Sequence, residues 1–267
     1  MIIIRNDALN KIKDWNDSSI HILADFDRTI TSGNSDSSWG VLSKCDFVPK
    51  EYINDRKKLH DYYRPLEIDE TLNFEAKSKY MRDWLENHIN LFKKHKISQK
   101  MINEASENKK ALYFRNGAIN FFKNMCDRNI PIIIISAGIG NFIKQFLINN
   151  NCYFKNIYIV SNFIKFNNEI ATGIEGNIIH SLNKNQAAMS NEIKQVIKNR
   201  PNVILLGDSI GDTKILDEKN RAKALKIGFL EEKIEENTPY YIEQFDVVCT
   251  NNTGFDELSI KLPILGK

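Results

Sequence analysis

The stretch "ILADFDRTIT", residues 22–31, places two carboxylates at the end of an apolar run that is typical of a buried strand. Side chains two positions apart in a strand point to the same side, so Asp25 and Asp27 are expected to lie close together. Like charges at that spacing repel each other unless a cation or a proton intervenes. The stretch therefore predicts a strand that ends in a charged, chemically active loop.

Short β-branched runs alternate with longer segments of helical period along most of the chain. The runs lie at residues 20–23, 131–135, 156–160, 202–206, 224–229 and 246–250. This alternation predicts an α/β fold with a Rossmann-like parallel sheet flanked by helices. Residues 163–180 hold Asn-Asn and glycines between apolar patches, a pattern typical of a β-hairpin or meander.

The interval between the first two predicted strands is the exception to this alternation. Residues 33–112 contain several charged segments of helical period and no comparable β-branched run. We therefore expect a helical cap at residues 33–112, inserted after the first strand. Residues 1–32 and 113–267 are expected to form the α/β core.

Charge and composition narrow the class of partner. The chain has 37 basic and 34 acidic residues and a net charge of +3, and these charges are spread along it. This pattern offers no basic stripe for a nucleic acid polymer and no polybasic patch for a membrane. The run Ile2–Ile4 is too short for a signal peptide, and no later stretch approaches a membrane-spanning length. We predict a cytoplasmic protein that binds a small molecule, while the oligomeric state stays unknown.

The four cysteines, Cys45, Cys126, Cys152 and Cys249, lie far apart and form no C-x-x-C pair. This spacing favours reduced, mostly buried thiols over disulfides or a zinc site.

Three predicted strands end in polar or glycine-rich groups, "DFDRT", "SAGIG" (136–140) and "GDSIGD" (207–212). The carboxyl ends of parallel strands form the edge where α/β proteins bind ligands. Ser136 and the amides of Ala137 and Gly138 precede a helical segment, and a helix N-terminus favours a bound anion. A phosphate group fits this position.

The group "GDSIGD" brings Asp208 and Asp212 to the same edge of the sheet as Asp25 and Asp27. Four carboxylates around one edge need positive charge between them. A hard divalent cation with oxygen ligands, which we expect to be Mg²⁺, relieves their repulsion.

Four motifs in this order resemble those of the haloacid dehalogenase superfamily: D-F-D-R-T at 25–29, Ser136, Lys184 in "HSLNKNQAA", and G-D-S-I-G-D at 207–212. The longer stretches "SAGIGNFIKQFL", "VSNFIKFNNEIATGIEGNIIHSLNK" and "LEIDETLNFEAKSKYMRDW" are similar to the cytosolic pyrimidine 5′-nucleotidase family. The similarity covers about residues 22–250. It is weakest at residues 32–50, which border the expected entrance and so bear on substrate choice.

The resemblance implies a mechanism that runs through an aspartyl-phosphate. Asp25 would attack phosphorus, while Asp27 would protonate the leaving oxygen and later deprotonate the hydrolytic water. Ser136 would donate a hydrogen bond to a phosphoryl oxygen. Lys184 would balance the charge of the nucleophile and the phosphate.

The resemblance also implies the ligands of the Mg²⁺ ion. Asp25 and Asp208 would contribute carboxylates, and Asp27 would contribute its backbone carbonyl. Asp212 would act through water or by orienting Lys184.

In the cap, the resemblance places an acidic residue that contacts the base at Glu75, although a solvated helix face explains this residue equally well. Trp39, Tyr80 and Trp84 could stack on a nucleobase, but aromatic residues at such positions more often pack in a core, and we favour packing.

These observations predict a Mg²⁺-dependent phosphomonoesterase acting on a nucleoside 5′-monophosphate, with a pyrimidine base favoured. One alternative is a phosphatase for another small phosphate ester, phosphoserine-like or a sugar phosphate. Another is a protein that binds phosphate esters without turnover, although binding alone needs no nucleophile such as Asp25. Phosphate transfer to a second nucleoside also stays open, because a sugar hydroxyl competes with water for the same intermediate.

Overall fold

The computed structural model describes residues 1–69 and 71–266. Within this part of the chain, seven strands form one sheet in the order β1-β9-β8-β7-β2-β3-β4, and two more form a separate hairpin. The strands are β1 (Ile2–Ile4), β2 (Ile20–Ala24), β3 (Ile132–Ile139), β4 (Ile157–Asn162), β5 (Ile164–Asn167), β6 (Ile170–Ile174), β7 (Asn202–Gly207), β8 (Leu225–Leu230) and β9 (Val247–Thr250).

The central sheet is parallel from β9 to β4, which confirms the predicted α/β fold. Each of the six predicted strands overlaps one of its six parallel strands. Strand β2 lies between β7 and β3, so the chain fills one side of β2 with β3 and β4 and the other side with β7 to β9. The strand order reverses at β2, and ligands bind at such a reversal in open α/β sheets.

Strand β1 is a difference from the sequence prediction. Ile2–Ile4 pairs antiparallel with β9 at the edge of the sheet, with Ile3 opposite Val248. A three-residue run beside charged residues gives no strand signal of its own, and pairing with a distant partner determines its conformation. The predicted insertion therefore follows the second strand rather than the first.

Helices surround the sheet and fill the interval between β2 and β3. They are α1 (Ala8–Ile12), α2 (Lys50–Ile68), α3 (Phe74–Lys94), α4 (Gln99–Ala105), α5 (Ala118–Asp127), α6 (Gly140–Asn149), α7 (Asn191–Ile197), α8 (Glu218–Arg221), α9 (Ile234–Gln244), α10 (Phe255–Lys261) and α11 (Pro263–Gly266). Short 3₁₀ helices span Val41–Lys44, Gln186–Ala188 and Ile210–Ile215.

Helices α2, α3 and α4 lie within the predicted cap, and α2 packs against α3. The side chain of Asn73 begins α3 by accepting a hydrogen bond from the Ala76 amide at 2.9 Å, as Asn does at a helix N-cap. The division of the chain into domains at residues 33 and 112 stays a prediction.

The predicted hairpin is present as β5 and β6, joined by Asn168 and Glu169. Both of these residues have positive φ angles, 46° and 68°, as a tight two-residue hairpin turn requires. The hairpin also contacts the start of α4, because the Gln99 amide donates to the Glu169 carbonyl at 2.9 Å. It therefore joins the core to the cap helices.

Alternate residues of the central strands enter two separate apolar clusters. Ile22 and Ala24 belong to the larger cluster, while Leu23 between them belongs to the smaller one. Helices cover both faces of the sheet, which explains why the strand sequences are apolar without alternation. The four cysteines are free and three of them are buried, as predicted. None of the helices in the described residues is both long and apolar enough to cross a membrane.

Candidate active site

The loop after β2 begins with Asp25, which is 5% exposed. Its amide donates to the Leu206 carbonyl of β7 at 3.0 Å, so two neighbouring strands position its backbone. Its Oδ2 accepts a hydrogen bond from Thr29 Oγ1 at 3.1 Å. Its Oδ1 lies 2.5 Å from the ammonium of Lys184. Both oxygens of this carboxylate therefore have defined partners.

Lys184 lies after the hairpin and bridges two carboxylates. Its Nζ is 2.5 Å from Asp25 Oδ1 and 2.7 Å from Asp212 Oδ1, and its side chain is 9% exposed. Burial by itself would lower the pKa of Lys184, but the carboxylates of Asp212 and Asp25 outweigh burial and raise the pKa. Lys184 therefore stays charged across the physiological pH range.

The loop after β7 contributes the other two carboxylates. Asp208 directly follows the strand, and Asp212 accepts a hydrogen bond from the Ser209 amide at 3.0 Å. Gly207 makes this arrangement possible, since a Cβ atom at this position would lie 2.5 Å from Cβ of Asp212. Asp208 and Asp212, four positions apart in "GDSIGD", therefore bring their carboxylates close together.

Asp25, Asp208 and Asp212 each offer a carboxylate oxygen, and these oxygens all lie within 4.8 Å of one another. Burial raises the pKa of Asp25 to about 7 and raises the pKa of Asp208 well above its ordinary value, with Asp25 adding to the shift of Asp208. The ammonium of Lys184 lies against two of these three acidic groups, Asp25 and Asp212. A divalent cation with oxygen ligands fits both the donor set and the remaining negative charge.

Asp27 belongs to the same loop, but its carboxylate has different partners. Its Oδ1 accepts a hydrogen bond from the Ser38 amide at 2.8 Å, and its Oδ2 accepts one from Ser38 Oγ at 3.0 Å. Burial raises the pKa of Asp27, and the two hydrogen bonds from Ser38 partly oppose this shift. The Asp27 carboxylate is not a member of the three-carboxylate group.

The segment Ser136, Ala137 and Gly138 interrupts the pairing of β3 with β4, whose register shifts between Ile135 and Ile139. Ser136 is 1% exposed, and its Oγ accepts a hydrogen bond from the Gly138 amide at 3.0 Å. Helix α6 begins two residues after this segment. The segment thus places a buried hydroxyl and strand-end amides in the lining of the same cavity as the carboxylates.

Two side chains at the end of β4 donate hydrogen bonds to carbonyls of this segment. Asn162 Nδ2 donates to the Ala137 carbonyl at 2.9 Å, and Ser161 Oγ donates to the Gly138 carbonyl at 2.9 Å. Asn162 also donates to the carbonyl of Ile179 at 2.7 Å and accepts from its amide. This side chain therefore ties the segment to the loop that leads to Lys184.

The backbone that follows Asp27 is held by Arg115, whose side chain is fully buried. Its guanidinium donates to the carbonyls of Arg28 and Thr29 at 2.5 and 2.9 Å and pairs with Glu231 at 2.7 Å. Arg28 has a φ angle of 62°, a left-handed backbone conformation that residues other than glycine rarely adopt. Arg115 thus stabilises a strained turn next to the two aspartates.

A cavity of about 510 Å³ opens beside these groups. Eight of the predicted site residues line it: Asp25, Asp27, Ser136, Ala137, Gly138, Lys184, Asp208 and Asp212.

The cap side of the cavity is lined by two helices. Helix α2 contributes Arg56, His60, Arg64 and Glu67, and helix α3 contributes Met81, Trp84, Leu85 and His88. The Trp84 ring is stacked with Tyr63 at a centroid distance of 5.8 Å and an interplanar angle of 15°. Beside the carboxylates, the cavity therefore has an aromatic wall.

Glu75 is the predicted site residue that does not line this cavity. It lies in the first turn of α3, where its side chain is exposed, so the structure favours the solvated helix face. Among the described residues of the predicted cap, Glu67 is the carboxylate that lines the cavity, and it pairs with Arg64.

The three aromatic residues of the prediction differ in position. Tyr80 does not line the cavity. Trp39 and Trp84 do, and both also pack, since Trp39 lies against the main apolar cluster and Trp84 against Tyr63 and His88. Packing and cavity lining are therefore combined in these two rings.

Comparison with known proteins gives the family of this chain. A family model described as pyrimidine 5′-nucleotidase (UMPH-1) matches residues 25–262. The chain belongs to the pyrimidine 5′-nucleotidase family. It is accordingly an enzyme of the 5′-nucleotidase class, as the sequence motifs predicted.

Two relatives extend this assignment. The 7-methylguanosine phosphate-specific 5′-nucleotidase of Homo sapiens is 32% identical over 245 residues, which cover 89% of this chain and 81% of the human protein. The 7-methylguanosine phosphate-specific 5′-nucleotidase B of Xenopus laevis is 31% identical over 258 residues, which cover 94% of this chain and 89% of the frog protein.

Solved structures support the same fold. The crystal structure of cytosolic 5′-nucleotidase IIIB bound to cytidine matches with a TM-score of 0.87 and 28% identity, covering 99% of this chain and 93% of that one. Substrate-bound phosphoserine phosphatase matches with a TM-score of 0.55 and 17% identity, covering 91% and 97%, and so shares the fold alone.

The polar residues with which α2 lines the cavity were not predicted from the sequence. Arg56, His60 and Arg64 are spaced four residues apart, and such residues lie on one face of a helix. This spacing was a usable signal, but it does not reveal which face of the helix points toward the core. No local sequence pattern indicates the role of Ser38, because its partner Asp27 lies 11 residues earlier in the chain.

Proposed function

We propose that this chain hydrolyses nucleoside 5′-monophosphates through an aspartyl-phosphate on Asp25. The observation that carries the proposal is one cavity that is lined by Asp25 and Lys184 and also by the rings of Trp39 and Trp84. Carboxylates and an ammonium suit a phosphate ester, while flat aromatic rings suit a nucleobase.

The two aspartates of the β2 loop have different surroundings and so different proposed roles. Asp25 attacks phosphorus, and the bond between phosphorus and the sugar oxygen breaks as its own bond to phosphorus forms. Asp27 donates a proton to the departing oxygen and then accepts one from the water that hydrolyses the aspartyl-phosphate. The second step restores both side chains to their starting states.

Ser136, Lys184 and the amides of the Ala137–Gly138 segment are proposed to hold the phosphate. The hydroxyl of Ser136 and these amides donate hydrogen bonds to phosphoryl oxygens. Lys184 balances the charge that builds up between the phosphate and Asp25, and its short contact with Asp25 supports this role.

We assign the acidic group to a Mg²⁺ ion held by the Asp25 and Asp208 carboxylates and by the backbone carbonyl of Asp27. When bound, the cation supplies positive charge that offsets the phosphate and keeps Asp25 ionised. Asp212 accepts a hydrogen bond from the Ser209 amide and lies 2.7 Å from Lys184, which supports an orienting role toward the lysine.

Base recognition is assigned to the cap, with Glu67 in the place that the sequence prediction gave to Glu75. Glu67 lines the cavity, so its carboxylate can accept a hydrogen bond from an exocyclic amine of the base. The ring of Trp84, which stacks on Tyr63, also lines the cavity and offers a flat surface for the base. Glu75 is exposed at the start of α3, so it has no role in this proposal.

Two kinds of base are candidates. The family description and the cytidine in the related crystal structure support a pyrimidine. The names of the relatives in Homo sapiens and Xenopus laevis support 7-methylguanine, whose positive charge suits the face of an aromatic ring such as Trp84. The aromatic wall argues against phosphoserine and sugar phosphates. A cytosolic location is supported by relatives that are named cytosolic 5′-nucleotidases.

A phosphate-release assay tests the proposal. The substrates are CMP, UMP, GMP, 7-methyl-GMP, phosphoserine and glucose 6-phosphate, each assayed with Mg²⁺ and with EDTA. We expect Mg²⁺-dependent release from at least one nucleotide at far higher kcat/KM than from the last two substrates. Asp25→Asn should lower the rate at least about a thousandfold, whereas Asp46→Asn, an exposed carboxylate before α2, should not. Preference for phosphoserine or glucose 6-phosphate, or unchanged release in EDTA, contradicts the proposal.

A further inference from the structure

Ser38 makes two hydrogen bonds to the same carboxylate. Its amide donates to Oδ1 of Asp27 at 2.8 Å, and its hydroxyl donates to Oδ2 at 3.0 Å. Two donors from one residue fix the plane of the carboxylate as well as its position. Each carboxylate oxygen has two lone pairs, so Asp27 keeps one free site on each oxygen for a proton or a substrate atom.

Ser38 itself is held firmly. It is fully buried, and its hydroxyl oxygen accepts a further hydrogen bond from the Ile139 amide at 3.4 Å. The next residue, Trp39, donates from Nε1 to the Ala137 carbonyl at 3.0 Å. These contacts anchor the two residues to the Ser136–Gly138 segment, which the proposed function assigns to the phosphate.

Trp39 also joins this pair of residues to the cap. Its ring lies over His88 at a centroid distance of 4.9 Å and near Phe92 at 5.8 Å, and both partners belong to α3. The Ser38–Trp39 pair therefore contacts Asp27, the Ser136–Gly138 segment and a cap helix together.

Gly138 gives Ser38 the space that it needs. A Cβ atom at position 138 would lie 2.3 Å from Ser38 Oγ and 3.4 Å from Oδ2 of Asp27. Any side chain at this position would displace the serine hydroxyl from the carboxylate. Gly138 and Ser38 are thus complementary in size, although they are 100 residues apart in the sequence.

We propose that Ser38 is a positioning residue for Asp27, holding its carboxylate in the orientation that proton transfer to and from the substrate requires. This inference rests on the proposed acid and base role of Asp27. It assigns a role to Ser38, which lies between the first motif and the cap helices. The geometry needed for proton transfer then depends on a side chain that does not itself contact the substrate.

The test is a double-mutant cycle between Ser38 and Asp27, measured with a nucleotide that the enzyme turns over. Ser38→Ala removes the hydroxyl but keeps the amide donor, and we expect kcat to fall about tenfold to a hundredfold with KM within about twofold of wild type. In Asp27→Asn enzyme, freed of wild-type contamination, the same serine substitution should change the residual rate by less than about twofold. If Ser38 affected only stability, Ser38→Ala would lower the rates of the wild-type and the Asp27→Asn enzymes by the same factor.

Ser35→Ala is the matched control. Ser35 is also buried in the same segment, and its hydroxyl donates to the Ser32 carbonyl at 2.8 Å, away from Asp27. This variant should keep the wild-type kcat. Ser38→Gly makes the same chemical deletion and replaces Ser38→Ala if that variant does not fold, as judged by circular dichroism.

The outcomes separate the two hypotheses. Wild-type turnover in Asp27→Asn would contradict the proposed role of Asp27. A slow Asp27→Asn enzyme together with a Ser38→Ala enzyme of wild-type kcat would overturn the positioning role alone. A loss from Ser38→Ala that is as large in the Asp27→Asn background as in wild type would overturn it as well.

Discussion

The ammonium of Lys184 lies 2.5 Å from Oδ1 of Asp25, although the two residues are 159 positions apart in the chain. The lysine comes from the loop after the hairpin, and the aspartate begins the loop after β2. Their contact aligns the carboxylate that is proposed to attack phosphorus, and the second bond of Lys184 to Asp212 limits the movement of the ammonium.

Lys184→Gln should lower kcat/KM for a nucleotide at least about a hundredfold, because a neutral amide cannot balance the charge between Asp25 and the phosphate. The measurement is steady-state phosphate release at saturating Mg²⁺. Lys194→Gln, which changes an exposed lysine of α7, serves as the control and should behave as wild type. A Lys184→Gln enzyme within tenfold of wild type would show that Lys184 has a structural role.

Asp27→Asn should separate the two halves of the reaction. With p-nitrophenyl phosphate the leaving phenolate needs no proton, so the aspartyl-phosphate should form quickly and then persist, because its hydrolysis still needs Asp27 as a base. Stopped-flow mixing should show a burst of nitrophenol approaching one equivalent per active site, followed by slow turnover. A linear trace, with equal losses for nucleotide and nitrophenyl substrates, would argue against the acid and base role.

The sequence predicted the half of the site that depends on strand ends. Asp25, Ser136 and Asp208 lie at or just after strands whose apolar runs are unmistakable, and the parallel order of a sheet brings such ends together. Only the motif resemblance indicates Lys184, since its loop has no regular structure. The hairpin that precedes it is indicated by the Asn-Asn pair and the glycines that lie between apolar patches in residues 163–180.

The half of the site that depends on packing between the cap and the core was not predictable in this way. Glu75 and Glu67 lie at the start of α3 and at the end of α2, and no local pattern says which of them points into the cavity. The contact of Ser38 with Asp27 depends on Gly138, which approaches from a different strand. Such contacts follow from tertiary structure rather than from periodicity.

Arg115→Met should destabilise the fold by about 3–5 kcal/mol, because it removes the cation paired with Glu231 and leaves two backbone carbonyls of the β2 loop without their donor. Urea denaturation at neutral pH measures the free energy of unfolding. Lys100→Met removes an exposed ion pair with Glu104 and should cost at most about 1 kcal/mol. Similar small changes in both variants would contradict the structural role of the buried pair.

His21 should make the protein less stable in mild acid. Burial lowers the pKa of His21 to about 4, although a hydrogen bond of Nδ1 with the Arg200 carbonyl, at 2.7 Å, partly opposes the shift. The unfolded chain binds a proton below about pH 6.5 and the folded chain does not until about pH 4, so stability decreases as pH falls through this window.

From pH 8 to pH 5 this histidine should account for a loss of about 2 kcal/mol in the free energy of unfolding. Urea denaturation of wild type and His21→Gln at both pH values measures the difference. The variant should lose about 2 kcal/mol less than wild type over this interval, since glutamine does not titrate. Equal losses in the two proteins would mean that His21 does not contribute to the acid sensitivity.

Glu67→Gln and Glu75→Gln form a matched pair that tests which cap carboxylate contacts the base. Glu67 lines the cavity and Glu75 is exposed at the start of α3, so the first substitution should lower kcat/KM for a nucleotide about tenfold to a hundredfold and the second should not. Because phosphate chemistry at Asp25 is untouched, both variants should hydrolyse p-nitrophenyl phosphate at close to the wild-type rate. That second substrate also controls for the loss of the ion pair between Glu67 and Arg64, which would affect both substrates if it distorted the cap. A nucleotide-specific loss in Glu75→Gln, or equal losses on both substrates in Glu67→Gln, would remove Glu67 from base recognition.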